Sequence, residues 1–322
     1  EMCIRDRLNA LQERNGLDPA QVDDVIMGCV SQLGEQGVNV GRNAVLAAGW
    51  PESVPSTTVD RQCGSSQQAA HFAAQGIMAG VYDIAVAAGV ESMTRVPMNS
   101  IATLGPGFPF GATMMERYDN HMFNQGISAE MIAAQWSIPR AELDQLAYES
   151  HMRAQRATEE GRFEPEITPV KVPAEDGSVE MMTVDEGIRP GTTIEKLATL
   201  KPAFQEDGVV TAGNSSQISD GAAAVLIMSE EKAAELGLAP KARFTQFALV
   251  GVDPVTMLTG PIPATTKVLD KAGLRMDDID LFEVNEAFAT VVAAWQREHD
   301  ADLSKVNVNG GAMALGHPLG AS

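Results

Sequence analysis

Cysteine is scarce in this chain of 322 residues: Cys3, Cys29 and Cys63 are an odd set without CxxC spacing. That argues against a disulfide framework or a cysteine zinc site and fits a reducing compartment, so a cytoplasmic location is expected. Basic residues are also few. With 23 Lys and Arg against 43 Asp and Glu the net charge is −20, which excludes nucleic acid or an anionic membrane as the main partner. An anionic ligand therefore needs a local basic patch. No apolar run approaches the ~20 residues that span a bilayer, and Leu8 to Asn15 reads as a polar amphipathic helix. His71, His121, His151 and His299 have no acidic or thiol partner at ligand spacing, so no metal site is expected. What is present, 44% hydrophobic residues, can bury a large core and build two or more structural units.

Three segments carry chemistry. The strand-like run Val54 to Val59 passes through Asp60-Arg61-Gln62 to Cys63, after which Gly64-Ser65-Ser66 opens a helix of small residues. A thiol at a helix N-terminus faces free N–H groups and the positive end of the dipole, which favours the nucleophilic thiolate; the alternative is an inert buried cysteine. Cys29, inside the strand-like Val25 to Val30, fits the inert role. Near the other end, Asn309 to Ser322 holds His317 in a glycine-rich turn followed by proline, a setting that fixes an imidazole either as a general base or as a structural histidine. The two gain meaning as a thiol and a base brought together by folding. Thirdly, Ile279 to Val284 alternates like a strand and ends in Asn285-Glu286-Ala287-Phe288, ahead of an apolar helix. Asn285 is either that helix's cap or a polar donor at a strand end, where α/β proteins gather their sites.

The chain also echoes itself. Gly16-Leu17 followed by Val22 to Val25 resembles Gly273-Leu274 followed by Ile279 to Phe282, each after a helical stretch and before a strand-like one, as a duplicated α/β unit would give. Between them, Met93 to about Asn214 has a different texture, with many prolines, glycines and methionines, a helix over Ala141 to Glu159 and the extended Ile167 to Pro173. It reads as a large insertion that carries binding function. The Asp83 to Gly89 run ahead of it is apolar on both faces, as in a covered sheet, and Asp220 to Met228 resumes the core.

Together, Val59-Asp60-Arg61-Gln62-Cys63-Gly64-Ser65, Thr211-Ala212-Gly213-Asn214-Ser215-Ser216, Asn285-Glu286-Ala287-Phe288 and Gly316-His317-Pro318-Leu319-Gly320-Ala321-Ser322 resemble the motifs of the thiolase family, in the family's order, over nearly the whole chain. The resemblance implies an α/β protein with the thiolase-like five-layered α-β-α-β-α fold, made of two duplicated βαβαβαββ halves and an inserted loop domain. Residues 1–93 with 217–238 would form the first half, 94–216 the insertion and 239–322 the second half. It implies that Cys63 accepts the acyl group, that His317 activates it, and that Asn285 positions a water in the oxyanion hole. Ala212 and Ser216 would lie along the pantetheine arm of coenzyme A with Phe288 beside it, Arg189 would stand near its nucleotide end, and Leu200 and Phe204 would flank the same ligand. Coenzyme A is then a substrate and no cofactor is permanently bound; acyl-CoA and CoA are the partners, in a homodimer or homotetramer. The implied reaction is thiolytic cleavage of 3-ketoacyl-CoA or the reverse condensation. Asn124 to Glu130 and Asn214 to Asp220 resemble broad-range degradative members. A short-chain biosynthetic thiolase and a non-catalytic CoA- or lipid-binding relative are the alternatives, the latter disfavoured by an intact Asn-Glu-Ala-Phe motif. Both ends depart from the pattern, so the sequence is expected to be a fragment that lacks the first strand and the family's second catalytic cysteine.

Overall fold

A computed structural model of the chain describes residues 2–121, 123–174 and 176–322. In chain order its elements are α1 (Met2–Asn15), β1 (Asp24–Gly28), α2 (Val40–Ala47), β2 (Ser56–Val59), α3 (Ser65–Met78) and β3 (Ile84–Ser92). The segment that follows holds α4 (Ser100–Thr103), α5 (Ala112–Arg117), α6 (Gln125–Gln135), α7 (Arg140–Glu159), the hairpin strands β4 (Val170–Pro173) and β5 (Val179–Met182), and α8 (Ile194–Ala198). β6 (Asp220–Met228), which joins the sheet beside β3, and α9 (Glu230–Glu235) come next, followed by α10 (Pro261–Ala272), α11 (Ala289–His299) and α12 (Ala312–Leu315).

The principal sheet has the order β2-β1-β3-β6, parallel except for β6, which pairs antiparallel with β3. Side chains alternate across it as the pleat requires. Val25, Met27 and Cys29 with Ile84, Val86, Ala88 and Val90 face the Ile4, Leu8, Val40 and Val45 side chains of α1 and α2. Ile26, Ala85 and Ala87 face Ala69, Ala73 and Ala74 of α3. Both faces are covered, which is why the stretches 25–28 of β1 and 84–90 of β3 are apolar without a break; each fully buried Val, Ile or Met contributes about 1.5–3 kcal/mol by its removal from water. The small residues of α3 let it lie close to the sheet, so its N-terminus sits at the carboxyl ends of the parallel strands.

The internal echo is structural. α1 ends at Gly16 with φ +57° and α10 at Gly273 with φ +67°, each in the left-handed conformation that favours glycine, and each leads through a short 3-10 turn into an extended segment. The extended segments differ. The first becomes β1, while the strand-like Ile279 to Val284 makes one ladder contact, Phe282 with Val306. Asn307, at φ +47°, ends that pairing: its side chain takes the place of backbone, accepting from Val284 N at 2.8 Å and donating to Val284 O at 2.8 Å.

Candidate functional site

Cys63 stands one residue ahead of Gly64, the N-cap of α3. The turn before it is tied by short side chains: Asp60 Oδ1 accepts from Gln62 N at 2.7 Å, and the Ser65 hydroxyl accepts from Arg61 N at 3.0 Å and donates to Gln62 O at 2.5 Å. These bonds hold Gln62 at φ +49°, an uncommon conformation for a residue with a Cβ, directly before the thiol. Cys63 is half-buried, and the Nε2 of Gln125, in the first turn of α6, lies 4.0 Å from its Sγ. The expected thiolate is not the resting form. Burial pushes the Cys63 thiol up, with Glu91 and Asp60 adding to the rise, and this outweighs the Gln125 contact and the local backbone hydrogen bond that favour ionisation. Cys29 is fully buried and its thiol is pushed up to about 12, chiefly by burial, in keeping with an inert role.

His317 is 3% exposed and held from three sides. Its backbone N donates to Gln217 O at 3.1 Å, its Nε2 faces Asn285 Nδ2 at 3.3 Å, and its Nδ1 faces Ser322 Oγ at 2.7 Å. With the Asn285 amide donating, Nε2 is the acceptor and Nδ1 carries the proton. Burial lowers the imidazole to about 4 against a smaller opposing pull from Glu91, so it rests neutral at pH 7. Asn285 is not a cap, since Phe288 is the N-cap of α11. Its neighbour Glu286 is buried, and that burial raises its carboxyl above the usual range. Glu286 accepts from Ser150 Oγ at 2.6 Å, Asn307 Nδ2 at 2.9 Å and Met313 N at 3.1 Å, which bolts the Asn285 segment to the turn that carries His317.

The thiol and imidazole segments meet at the strand ends. A Cβ on Gly89 would stand 2.5 Å from Gly320 O, 2.7 Å from Ala321 Cα and 2.8 Å from Ser66 Cβ, and one on Gly28 would strike Ser66 N and Gly320 O. Only glycine at these two positions lets residues 320–321 nest between β1, β3 and the start of α3. Ser66 Oγ, in the first turn of α3, also bonds to the Ser322 carbonyl. Glu91 closes the junction, fully buried and accepting from Val30 N, Ser31 N, Gln36 Nε2 and Gly320 N at 2.9–3.0 Å.

A cleft of about 480 Å³ opens beside this junction, lined by Arg189, Leu200 and Ala212 together with His151, Lys196 and Gln217. Gln217 ties it to the base: its Oε1 accepts from Arg189 Nη2 at 3.0 Å, its Nε2 donates to Gly187 O, Met313 O and Ala314 O, and its carbonyl holds His317 N. Phe204, Phe288 and Ser216 do not line the cleft. Phe204 and Phe288 meet edge to face at 5.9 Å, the Phe204 ring covers Gly126 next to Gln125, and Ser216 N donates to Ala287 O at 3.0 Å. They form an apolar patch joined to the Asn285 segment on one side and to the neighbour of the thiol on the other. Gln125, Gln217, Glu91 and Glu286 were not singled out from sequence as site residues, because nothing local distinguishes them; each matters through contacts far along the chain. Among the described residues no group of three or more His, Cys, Asp or Glu side chains converges as a metal would require.

Comparison with known proteins gives the same family over both halves. The family model for the thiolase N-terminal domain matches residues 5–231, and that for the thiolase C-terminal domain matches residues 238–322. A steroid 3-ketoacyl-CoA thiolase, FadA6, of Mycobacterium tuberculosis is 50% identical over 97% of this chain and 76% of its own length. A 3-ketoacyl-CoA thiolase of Aliivibrio salmonicida is 48% identical over 98% of this chain and 81% of its own. The crystal structure of the Bacillus anthracis acetyl-CoA acetyltransferase superposes with a TM-score of 0.88 at 40% identity, covering 99% of this chain and 83% of that one.

Proposed function

The chain belongs to the thiolase family, and from that premise we propose that it transfers acyl groups through Cys63, cleaving 3-ketoacyl-CoA with CoA or running the reverse condensation. It is an acyl-CoA thiolase, and coenzyme A is its substrate. The observation that carries the site assignment is the held imidazole: His317, neutral and oriented by Asn285 and Ser322, on a turn that nests against the start of α3.

In the cleavage direction Cys63 Sγ attacks C3 of the ketoacyl group while His317 Nε2 takes the thiol proton. Burial keeps both groups neutral at rest, so attack and proton transfer proceed together, without a standing ion pair. The oxygen anion formed at C3 is met by the protonated imidazole and by a water held on the Asn285 amide. Collapse breaks the C2–C3 bond, the electron pair on C2 takes up the proton that His317 received from Cys63 as acetyl-CoA leaves, and the acyl group remains on sulfur. A second CoA thiol attacks that thioester, giving its proton to His317, which passes it to Cys63 as the shortened acyl-CoA departs. Arg189 and Lys196 supply positive charge for the anionic end of CoA, and Leu200 and Ala212 supply apolar surface. Ser216, Phe204 and Phe288 are assigned to the pantetheine and acyl path toward Cys63.

The remaining assignments are of the same kind. Residues 94–216 form the insertion that binds CoA, flanked by a first half of 1–93 with 217–238 and a second of 239–322. The protein works without a resident cofactor, as a homodimer or homotetramer, in the cytoplasm. The described helices include none long and apolar enough to cross a membrane.

The test is incubation with acetyl-CoA and with a longer 3-ketoacyl-CoA, followed by intact-mass spectrometry and peptide mapping. An acyl adduct on Cys63, lost in Cys63→Ser, is expected. A full-rate adduct in that variant, or mapping to another residue, would overturn the assignment.

A further inference from the structure

Glu91 is the one fully buried carboxylate in the junction, and the acyl-transfer chemistry above makes no use of it. It lies at the end of β3 with all four of its hydrogen-bond donors within 3.0 Å. Two of these, Val30 N and Ser31 N, follow β1; one, Gln36 Nε2, comes from the loop beyond; the fourth, Gly320 N, belongs to the turn three residues after His317. A buried carboxylate is stable only when its acceptor sites are filled in this way, so its hold on Gly320 is strong for a single backbone contact. Among the described residues no other side chain bonds to Gly320 N, and a Cβ on Gly320 would stand 2.6 Å from Cys29 Cα and 2.8 Å from Glu91 Oε2. The catalytic turn is therefore seated on the carboxylate at closest approach.

On the reading of Cys63 and His317 as the acyl-transfer pair, we propose that Glu91 is a positioning residue: its carboxylate clamps the His317 turn to the strand ends beside Cys63 and sets the register of base and nucleophile. The charge acts as well as the geometry. Asp60 ahead of α3 and Glu91 at the end of β3 are the carboxylates whose charge reaches the thiol, and Glu91 also reaches the imidazole; Arg61 lies two residues before Cys63, Cys29 follows β1, and Gln125, Asn285 and Ser322, which contact the pair, are neutral. Glu91 favours the protonated imidazole and disfavours the thiolate, so it strengthens the base while it holds the thiol in its neutral form. The clamp thus aids proton transfer from Cys63 to His317 in the attack step and suppresses a free thiolate before substrate arrives.

Two variants separate the clamp from the charge. Glu91→Gln removes the charge and turns an amide N–H toward two of the four donors; Glu91→Asp keeps the charge but cannot reach both β1 and Gly320. For each, the rate of acetyl transfer from acetyl-CoA to Cys63 is followed by mass spectrometry over a range of acetyl-CoA concentrations, and Cys63 alkylation by iodoacetamide is measured against pH. Thermal unfolding identifies the folded variants. Both should lose the maximal rate by about 10²-fold, the scale of an ångström-sized misplacement, at an unchanged half-saturating acetyl-CoA concentration, because the cleft is untouched. The alkylation profile should move to lower pH in Glu91→Gln and stay in place in Glu91→Asp, a split that loss of packing alone would not produce. Folded variants that transfer at the parental rate, or that lose only apparent affinity, would overturn the proposal; should Glu91→Gln not fold, Glu91→Asp decides by the same rate criterion. Absence of any adduct in the parent protein would instead sink the acyl-transfer reading, while the alkylation profiles would still test the carboxylate's field at Cys63.

Discussion

At His317, burial that prepares a neutral base also costs stability in acid. The imidazole titrates near 4 in the folded protein and near 6.5 when unfolded, so between those values the unfolded chain binds the extra proton. The folded state is therefore weakened as pH falls through this window, and the contribution is complete above 6.5. For a shift of this size the difference is about 2–3 kcal/mol between pH 7 and pH 4.5. His151, also lowered by burial, acts in the same direction, whereas Glu283 and Glu286, raised by burial, act in the opposite one. The test is thus a difference: urea unfolding of the protein and of His317→Asn at both pH values. The parent should lose about 2–3 kcal/mol more than the variant on acidification; equal losses would show that the imidazole is not held neutral. Cys63, His317 and Asn285 could be proposed from sequence because their motifs together resemble one family; taken singly, each also had an inert or capping reading. It overstated the thiolate at Cys63, since helix-terminus electrostatics are legible in a sequence and desolvation by distant segments is not. Glu91 and Gln125 escaped for the same reason: as letters they are the end of a strand and the start of a helix.

The elements place these residues by close approach rather than by long side chains. Gly28 and Gly89 sit on neighbouring strands, directly opposite in register, and present bare backbone to the turn after His317. A methyl group at Gly89 has nowhere to go, because the atoms it meets are backbone of residues 320–321 and the Cβ of Ser66. Gly89→Ala should therefore lift the turn off α3. Overpacking of this kind costs about 1–3 kcal/mol of stability, and the same displacement should slow acyl transfer to Cys63 about 10²-fold. Denaturant unfolding and adduct kinetics measure the two effects; a variant with either intact would show that the turn can relax without leaving the site. β1 and β3 were readable because both faces are covered, so their inner stretches 25–28 and 84–90 appear as apolar runs. The alternation over Ile279 to Val284 promised as much, but Asn307 diverts the pairing with its side chain, and neither the left-handed φ of one asparagine nor its partner is written in local periodicity. The left-handed glycines at Gly16 and Gly273 made the duplication visible, since helix ends are punctuated locally.

For the whole molecule the governing quantity is a net charge of −20 set against an anionic substrate. Among the described residues only Arg189 and Lys196 bring positive charge to the cleft lining, and both already carry neutral hydrogen-bond partners, Gln217 and Gly191. The two fields differ in range. The repulsion comes from carboxylates spread over the surface, and it is screened once the Debye length falls from about 30 Å at 0.01 M salt to about 8 Å at 0.15 M. Attraction to the two cations operates at contact distance, where the same salt removes much less of it. Approach of CoA should therefore be slowed at low ionic strength and become faster on going from 0.01 to 0.15 M salt, the reverse of the steering seen where the charges are complementary. Stopped-flow measurement of CoA association over that range reads the sign directly. Removing one cation with Arg189→Gln should raise the dissociation constant at every salt concentration while leaving the upward slope of the association rate. An association rate that falls with salt in the unaltered protein would mean that the cleft's own charges, and not the molecule's, dominate the encounter.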